Sequence, residues 1–449
     1  MAQSLVNRLL TRQPSTKLIV RLSLLALGVH AAAVSSISLL GATAVFPTMI
    51  DSNGVGISFA LDSVWNRYDA AVLAQILRRR GLIDWIAYPA PFHTKLYGLS
   101  FAVFDPVSDF SVLSAEPANL LFSFLILALV FKIGGEVCDR RAGILAAGIV
   151  ALWPSFFLHT TQFLREPQFI AAILALTLVG VRWLTREYSP RRAMALTAVG
   201  AFALAFIWLI RAEMWEVAIA IVLIGASLLI LRQLHERRML ASNLLGVVLL
   251  MILMAIIPRA LPRFLKAQVQ SRTLAEPAAV QPGGIGTQLP ARIRLVRSRY
   301  TSAYKTAGSN IDNNLVFTST GDIVRYLPRA AAIGLFAPFP DMWFVRGAEV
   351  GRAGRLLSGL ETAVIYVMEV LAIVGLWQRR RQLSTWLLVM VCVISSTALG
   401  LVVTNISIIY RLRYAFFMLI IVLGADGGLR ILSALASKKP ASAAVTVSI

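Results

Sequence analysis

The sequence predicts an all-α, polytopic integral membrane protein with about ten transmembrane helices. Hydrophobic residues make up 58% of the 449-residue chain and charged residues only 14%, whereas soluble proteins average roughly 45–50% and about 25%. The hydrophobic residues collect in charge-free blocks, and a bilayer core about 30 Å thick needs roughly 20 such residues per helix. This distribution excludes a soluble enzyme, a disordered protein and a coiled coil.

The blocks divide the chain, which we interpret as a single membrane domain over residues 1–449, into spans and loops. The ten predicted spans are 18–46, 112–134, 141–160, 164–184, 193–211, 213–232, 239–258, 357–377, 383–404 and 408–430. They leave a first external loop (47–111), a six-helix block (112–258), a large basic external loop (259–356) and a C-terminal three-helix block (357–432). The apolar run after Arg21 is longer than the roughly 7–15 residues of a secretory signal, so we expect the first helix to be retained.

The positions of the basic residues predict the orientation. With the N-terminus inside, the inner segments hold 20 Lys and Arg residues, and the short outer loops hold 4, namely Arg165, Arg211, Arg411 and Arg413. Because cytoplasmic loops carry an excess of Lys and Arg, we expect a multi-pass protein of the bacterial cytoplasmic (inner) membrane with both termini in the cytoplasm. The same rule accounts for the net charge of +21, so we expect membrane lipid but no nucleic acid as a partner.

The two long external loops are expected to contain short helices that lie on the membrane surface. Residues 69–80 have apolar side chains at helical spacing and are followed by Gly81, which predicts an amphipathic helix. A second helix, about 93–104, is too short to span. Residues 323–337 are apolar enough to enter the interface, but a span there would move Arg379–Arg381 outside, so we reject it.

Four carboxylates near the outer membrane face are candidate catalytic residues. Asp51, Asp62 and Asp69 lie in the first external loop, and Glu166 lies in the short turn before the fourth span. Carboxylates at this face are disfavoured unless they are paired or used. The alternatives are ordinary solvated residues for Asp51 and Asp62, a helix N-cap for Asp69, and a cap before Pro167 for Glu166.

The four arginines of the short outer loops are candidate phosphate-binding residues. A guanidinium group presents a planar fork that matches phosphate geometry. The alternative for Arg411 and Arg413 is snorkelling to the outer headgroups. For Arg211 and Glu213, which share one tight turn, the alternative is a local ion pair. Arg165 and Arg211 are expected to assist Arg411 and Arg413 in holding the phosphate.

The order of several weak motifs resembles the GT-C superfamily, and most closely the bacterial members of glycosyltransferase family 39, the protein mannosyltransferase-like group. The similar segments in the N-terminal half are Asp62–Ala74, Tyr88–Pro91, Asn119 with Asp139–Gly143, Trp153–Pro154 and Thr161–Pro167. Ala337–Pro340 and Arg411–Tyr414 are weaker matches in the C-terminal half. The resemblance covers residues 18–235 and these two patches.

The resemblance implies a glycosyltransferase that moves a sugar from a polyprenyl-phosphate donor to a glycan, lipid or protein acceptor at the outer face, with inversion at the anomeric carbon. It further implies a role in cell-surface polysaccharide or glycoconjugate synthesis. Asp62 or Asp51 would be the general base, Asp69 and Glu166 would position the acceptor or a metal, and the four arginines would hold the phosphate. No cofactor is certain, and a divalent cation is left open.

Two other functions remain open from the sequence. A polysaccharide polymerase or ligase would also act on polyprenyl-linked glycans but would depend on Arg and His in late outer loops. A transporter or flippase for a lipid-linked substrate would need polar residues along a path through the membrane. Glu369, which we expect to be more buried than Glu361, is the single candidate for such a path.

Overall fold

The computed structural model describes residues 16–43, 50–51, 56–57, 61–108, 111–261, 285–303, 308–345 and 351–437. Within these ranges the chain is almost entirely helical. One small antiparallel sheet pairs β1 (Ile50–Asp51) with β2 (Gly56–Ile57).

The helices up to residue 260 include the surface helices of the first long loop and the central helices of the bundle. They are α1 (Thr16–Ala42), α2 (Leu61–Arg80), α3 (Leu82–Ala87), α4 (Phe92–Ser108), α5 (Val112–Val137), α6 (Arg140–Ala151), α7 (Pro154–Thr160), α8 (Glu166–Thr185), α9 (Pro190–Ile210), α10 (Trp215–Glu236) and α11 (Ala241–Ala260).

The remaining helices belong to the second long loop and the C-terminal block. They are α12 (Ile285–Ala303), α13 (Thr320–Phe336), α14 (Gly351–Arg379), α15 (Leu383–Val402), α16 (Ile406–Leu412) and α17 (Tyr414–Ser437). Short 3₁₀ turns lie at Ala212–Met214 and Pro340–Met342.

Nine of the described helices are long and apolar enough to cross a membrane, and the bent pair α6–α7 brings the number to ten. This confirms the predicted all-α polytopic membrane architecture. The third predicted span, 141–160, is not one straight helix, because α6 and α7 are bent by 69°. Pro154 begins α7, and Trp153 before it takes an extended conformation (φ −73°, ψ 110°), as the proline ring demands.

The helices that were predicted to lie on the membrane surface differ from the prediction in their limits. α2 begins at Leu61, eight residues before the predicted start at Asp69, and its buried face already includes Ser63. α4 continues to Ser108, beyond the predicted end at about residue 104. α13 has 17 residues and is not among the helices long enough to span, in agreement with the rejection of a span at 323–337.

Successive spans run in opposite directions, so their connections gather at two ends of the bundle. The hairpin end holds the short connections at 138–139, 186–189, 237–240 and 380–382. The loop end holds the connection 161–165, the turn 211–214 and α16, and both long loops leave from it. The predicted orientation places the loop end outside.

The central helix of the bundle is α8, which packs against α5, α9, α10 and α15. α1 lies at the periphery, with few buried residues. α13 packs against α15 through Gly334 and Gly400, where a Cβ would overlap the backbone of the opposite helix. Small residues allow two helices to approach this closely, and the contact fixes the second long loop to the bundle.

Candidate active site

Four separate parts of the chain bring charged side chains together at the loop end. They are the first turn of α2, the connection 161–165 with the first residue of α8, the turn 211–214, and α16. We call their charged residues the charged cluster: Asp62, Arg165, Glu166, Arg211, Glu213 and Arg411.

Glu166 is the buried centre of the charged cluster, with 4% of its surface exposed. Its Oε1 accepts a hydrogen bond from Nη2 of Arg211 at 3.1 Å and lies 3.9 Å from Nη1 of Arg411. Its Oε2 has no hydrogen-bond partner among the described residues. The alternative role as a helix cap is wrong, because α8 begins at Glu166 itself and Arg165 occupies the cap position without a side-chain hydrogen bond.

The two tight connections are joined by ion pairs that cross between them. Nη1 of Arg165 lies 3.3 Å from Oε1 of Glu213, while Arg211 pairs with Glu166. The alternative of a local pair between Arg211 and Glu213 is therefore wrong, because Glu213 lies in the 3₁₀ turn after Arg211 and pairs with Arg165 of the other connection. Burial alone would lower the pKa of Arg165, but the carboxylates of Glu213, Glu166 and Asp62 together raise it.

Asp62 is the exposed carboxylate of the charged cluster. Its side chain is 61% exposed, and its Oδ2 lies 3.7 Å from Nη1 of Arg411. Arg411 itself is 24% exposed and lies between Asp62 and Glu166. The structure thus brings together Asp62, Glu166, Arg211 and Arg411, which are far apart in the sequence.

The other two acidic candidates lie in different settings. Asp69 is half-buried in the middle of α2, about two turns beyond Asp62. Its expected role as an N-cap is wrong, because the helix begins at Leu61. Asp51 lies in β1, and its side chain is outside the described residues. β1 pairs with β2, where the Ile57 amide donates to Oε1 of Gln162 at 3.1 Å, which places the strand pair beside the connection 161–165.

Arg413 is separated from Arg411 by the helical geometry of α16. Side chains two residues apart on a helix point about 200° apart. Nη1 of Arg413 donates to the carbonyl oxygen of Gly334 at 3.2 Å, and its guanidinium packs against the rings of Tyr410 and Phe417. At 1% exposure, Arg413 holds α13 and does not join the charged cluster.

The connection before Glu166 is held by polar side chains that were not among the predicted site residues. Nδ2 of Asn66 donates to the carbonyl oxygen of Phe163 at 2.6 Å, and the Tyr97 hydroxyl donates to that of Leu164 at 2.7 Å. Nδ2 of Asn119 donates to the carbonyl oxygen of Gln162 at 3.3 Å. A sequence signal existed, since Tyr97 and Asn119 are polar groups on otherwise apolar helix faces, but their partners follow only from the fold.

His93 and Tyr300 are further neighbours of the charged cluster that the sequence analysis missed. His93, at the start of α4, is buried, and burial together with the positive charge of Arg165 lowers its pKa to about 3. Tyr300 of α12 is an electrostatic neighbour of Arg165 and Arg211. Both long loops therefore contribute to the surroundings of the charged cluster.

A second buried carboxylate, Glu361, anchors α16 from below. Its Oε1 accepts from the Ser155 amide at 2.6 Å, its Oε2 accepts from the Ser155 hydroxyl at 2.5 Å, and the Tyr410 hydroxyl also donates to Oε2. Glu361 is 3% exposed, whereas Glu369 is only half-buried. The expectation that Glu369 is the more buried of the two is wrong, because Glu361 faces the break between α6 and α7.

Metal binding has no defined place among the described residues. They contain no group of three or more His, Cys, Asp or Glu side chains arranged to hold an ion. In the charged cluster, guanidinium groups lie against the carboxylates, and this mixture of charges does not suit a cation. We therefore derive no chemical step through a metal.

Comparisons with known proteins give little similarity. No protein-family model matches the chain, and no curated protein matches it significantly. Among solved structures, the crystal structure of ArnT from Cupriavidus metallidurans bound to undecaprenyl phosphate is similar, at 13% sequence identity and a TM-score of 0.34. The match covers 89% of this chain and 77% of the ArnT chain. A TM-score this low does not establish a shared fold.

Proposed function

We propose that this protein is a glycosyltransferase of the bacterial inner membrane that moves a sugar from a polyprenyl-phosphate donor to an acceptor at the outer face. The observation that carries the proposal is the position of Arg411, between an exposed carboxylate, Asp62, and a buried one, Glu166. Transfer from a phosphate needs a base for the acceptor and a cation for the leaving group. The resemblance of Asp62–Ala74 and Thr161–Pro167 to the GT-C superfamily supports the same function.

The proposed reaction is a single displacement. Asp62 takes the proton of the acceptor hydroxyl, and the acceptor oxygen forms a bond to the anomeric carbon. The bond between that carbon and the phosphate oxygen breaks, and the polyprenyl phosphate leaves with the electron pair. A positioned base contributes about 10²–10⁴-fold to such a rate. One base and no covalent sugar–enzyme intermediate are needed, and the configuration at the anomeric carbon inverts.

The contact between Asp62 and Arg411 also favours an order of binding. In this structure the guanidinium group of Arg411 lies against the carboxylate that we assign as the base. A donor phosphate that binds Arg411 competes with Asp62 for the same positive charge. Donor binding would then release Asp62, and the acceptor would be deprotonated only when a donor is present.

The remaining residues have supporting roles in this proposal. Arg211 assists Arg411 at the phosphate, and Arg165 with Glu213 keeps the two connections together. Asp69 positions the acceptor, and Asp51 is the alternative base.

The acceptor is a glycan, lipid or protein of cell-surface polysaccharide or glycoconjugate synthesis.

Both termini of the chain lie in the cytoplasm in this proposal. Protease digestion of inside-out and right-side-out vesicles that carry terminal tags tests the orientation: the tags should be cut only in inside-out vesicles.

Incubation of the purified protein in lipid nanodiscs with a panel of polyprenyl-phosphate sugars tests the proposed function. We expect one donor to lose its sugar in the presence of a membrane extract that supplies the acceptor. The matched control is the Arg411→Ala variant, which should bind and consume less of that donor. If no donor is consumed, and sealed vesicles instead show movement of the lipid-linked substrate without a new glycosidic bond, the protein is a transporter or flippase.

A further inference from the structure

His93 is a buried imidazole beside the charged cluster. It is the second residue of α4 and is 4% exposed. Arg165, Glu166 and Arg211 are the charged groups that act on it. Glu166 and Arg211 form the buried side of the charged cluster, whereas Arg165 is partly exposed and pairs with Glu213.

The hydrogen bonds around the ring determine which nitrogen carries the proton. Nδ2 of Asn66 donates to the carbonyl oxygen of Phe163, which turns Oδ1 of the same amide towards His93. An amide oxygen can only accept a hydrogen bond, so Nε2 of His93, 3.2 Å away, is the donor. Because the network assigns the proton to Nε2, Nδ1 of the neutral ring is an unprotonated acceptor.

Nδ1 is closed to solvent and has no hydrogen-bond partner among the described residues. Buried polar atoms almost always have a partner, and an unpaired one costs free energy. Glu166 Oε2 and Arg211 Nε are also unpaired within the described part of the chain. Three unpaired polar atoms around one buried ion pair indicate a site that is completed by a ligand.

The charge of the surroundings selects the chemical class of that ligand group. Nδ1 can accept a hydrogen bond but cannot donate one, so it repels a phosphate or carboxylate oxygen. An ammonium group would be repelled by Arg165 and Arg211. A neutral hydroxyl group satisfies both conditions, because it donates one hydrogen bond and carries no charge.

We propose that Nδ1 of His93 accepts a hydrogen bond from a hydroxyl group of the sugar on the polyprenyl-phosphate donor and thereby determines which sugar is transferred. The inference rests on the proposed transferase function. The donor sugar is favoured over the acceptor because His93 lies on the side of Arg211, which we assign to the phosphate that carries this sugar. Nδ1 is closed to solvent in this structure, so the proposal requires that the site opens when the donor binds.

Two substitutions separate this role from a structural one. His93→Gln can place its amide nitrogen where Nε2 lies and keep the hydrogen bond to Asn66, but it has no acceptor at the Nδ1 position. His93→Asn can place its amide oxygen near the Nδ1 position, but it does not reach Asn66. A structural role through Asn66 would therefore spare the glutamine variant, and recognition of the sugar would spare the asparagine variant.

The experiment measures binding of the polyprenyl-phosphate sugar and of polyprenyl phosphate alone to the protein in nanodiscs, and compares kcat/KM for a series of deoxy donors. We expect His93→Gln to weaken binding of the sugar donor about tenfold and to leave binding of polyprenyl phosphate unchanged. For one deoxy donor, kcat/KM of the wild-type protein should be reduced by the same factor as kcat/KM of His93→Gln for the full donor. For that donor the variant should cause no further loss.

Equal binding of the sugar donor by the wild-type protein and His93→Gln would overturn the role of His93 alone. An equal loss in His93→Gln for every deoxy donor would also overturn it, because no single hydroxyl would then be recognised. A wild-type protein that binds no polyprenyl-phosphate sugar would overturn the proposed function together with this inference.

Discussion

Buried carboxylates with nearby arginines occur at both ends of the bundle, and their hydrogen bonding differs. At the hairpin end, Oδ1 of Asp426 accepts one hydrogen bond from Arg379, and Oδ2 accepts one each from Arg379 and Arg430, all at 2.8–2.9 Å. At the loop end, Glu166 accepts a single hydrogen bond from Arg211, and its Oε2 has none among the described residues. Both carboxylates are less than 5% exposed.

We interpret the difference as that between a structural ion pair and one that a ligand completes. Removing a charge from water is costly unless good geometry and further hydrogen bonds compensate for it. The Asp426 site is compensated by its own side chains and has nothing left to bind. The Glu166 carboxylate has arginines beside it but is incompletely hydrogen-bonded, and in our proposal a substrate supplies the missing contacts.

The largest expected effect is on catalysis at the loop end. Asp62→Asn removes the proposed base and should lower kcat/KM about 10²–10⁴-fold. The fold should remain intact, because the Asp62 side chain is 61% exposed. Binding of polyprenyl phosphate should become tighter, since Arg411 loses a competing carboxylate. Steady-state kinetics, thermal unfolding in detergent and equilibrium binding of polyprenyl phosphate measure these three results.

The matched control for that variant is Asp84→Asn, which changes an exposed aspartate of α3 and should leave kcat/KM unchanged. Activity that survives in intact Asp62→Asn protein would contradict the assignment of the base. If Asp51→Asn were then equally active, a polymerase or ligase mechanism would be favoured.

The second prediction compares the two buried carboxylates directly. Asp426→Asn leaves Arg379 and Arg430 without their charge partner and should lower the free energy of unfolding by about 3–5 kcal/mol. The folded fraction should retain its kcat/KM. Glu166→Gln should lower stability less, because fewer hydrogen bonds are lost, but should lower kcat/KM about tenfold, because it weakens the ion pairs that hold Arg211 and Arg411 in place. Chemical unfolding in mixed micelles and activity per folded molecule are the measurements. A catalytic defect in folded Asp426→Asn protein would contradict the purely structural role of Asp426.

The sequence predicted the helices far better than the pairs of side chains between them. The apolar blocks are long and free of charge, so the spans follow from their length. The bend at Pro154 was missed. The proline is a local signal for a bend, but it lies inside an apolar block that is long enough to be predicted as one span. α2 was predicted to begin at Asp69 because an aspartate before apolar residues at helical spacing resembles an N-cap, whereas the helix begins at Leu61.

Most residues of the charged cluster could be predicted from the sequence, but the pairs that they form could not. Asp62, Glu166 and Arg411 were recognised because charged side chains at a membrane face are disfavoured unless they are paired or have a function. Arg413 has the same residue type and almost the same position in the chain as Arg411, yet it points into the bundle. Which carboxylate pairs with Arg211 depends on how two turns face each other, and no local pattern contains that information.

The third prediction concerns a buried ammonium group at the loop end that makes three hydrogen bonds. Lys95 has no exposed surface, and its Nζ donates to the carbonyl oxygens of Trp85, Ile86 and Tyr88 at 2.6–3.1 Å. Lys95→Met should therefore resemble Asp426→Asn and lower the free energy of unfolding by about 1–3 kcal/mol, without changing kcat/KM of the folded protein.

The control for Lys95→Met is Lys132→Met, which replaces an exposed lysine and should leave stability unchanged. Hydrogen exchange should show α3 opening more readily in the Lys95 variant, because the three carbonyl oxygens lie in α3 and the residue after it. Unchanged exchange in α3 would show that Lys95 does not hold this helix.

The smallest expected effect is a dependence of stability on pH that arises at His93. Burial, and then the positive charge of Arg165, lower the pKa of His93 to about 3, whereas an unfolded histidine has a pKa of about 6.5. Between these two values the unfolded chain binds the extra proton and the folded chain does not, so stability falls as the pH falls below 6.5. The contribution is fully present above pH 6.5, and about 1.4 kcal/mol of it should be lost at pH 5.5.

Thermal unfolding of the wild-type protein and of His93→Gln at pH 7.5 and 5.5 isolates this contribution. The wild-type protein should lose more stability than the variant over this interval, because glutamine does not titrate. His235→Gln is the control, since His235 is exposed near the hairpin end and its replacement should leave the wild-type pH dependence in place. Equal losses in the wild-type protein and His93→Gln would mean that the ring gains its proton without cost, and Nδ1 would then be open to water and not reserved for a substrate hydroxyl.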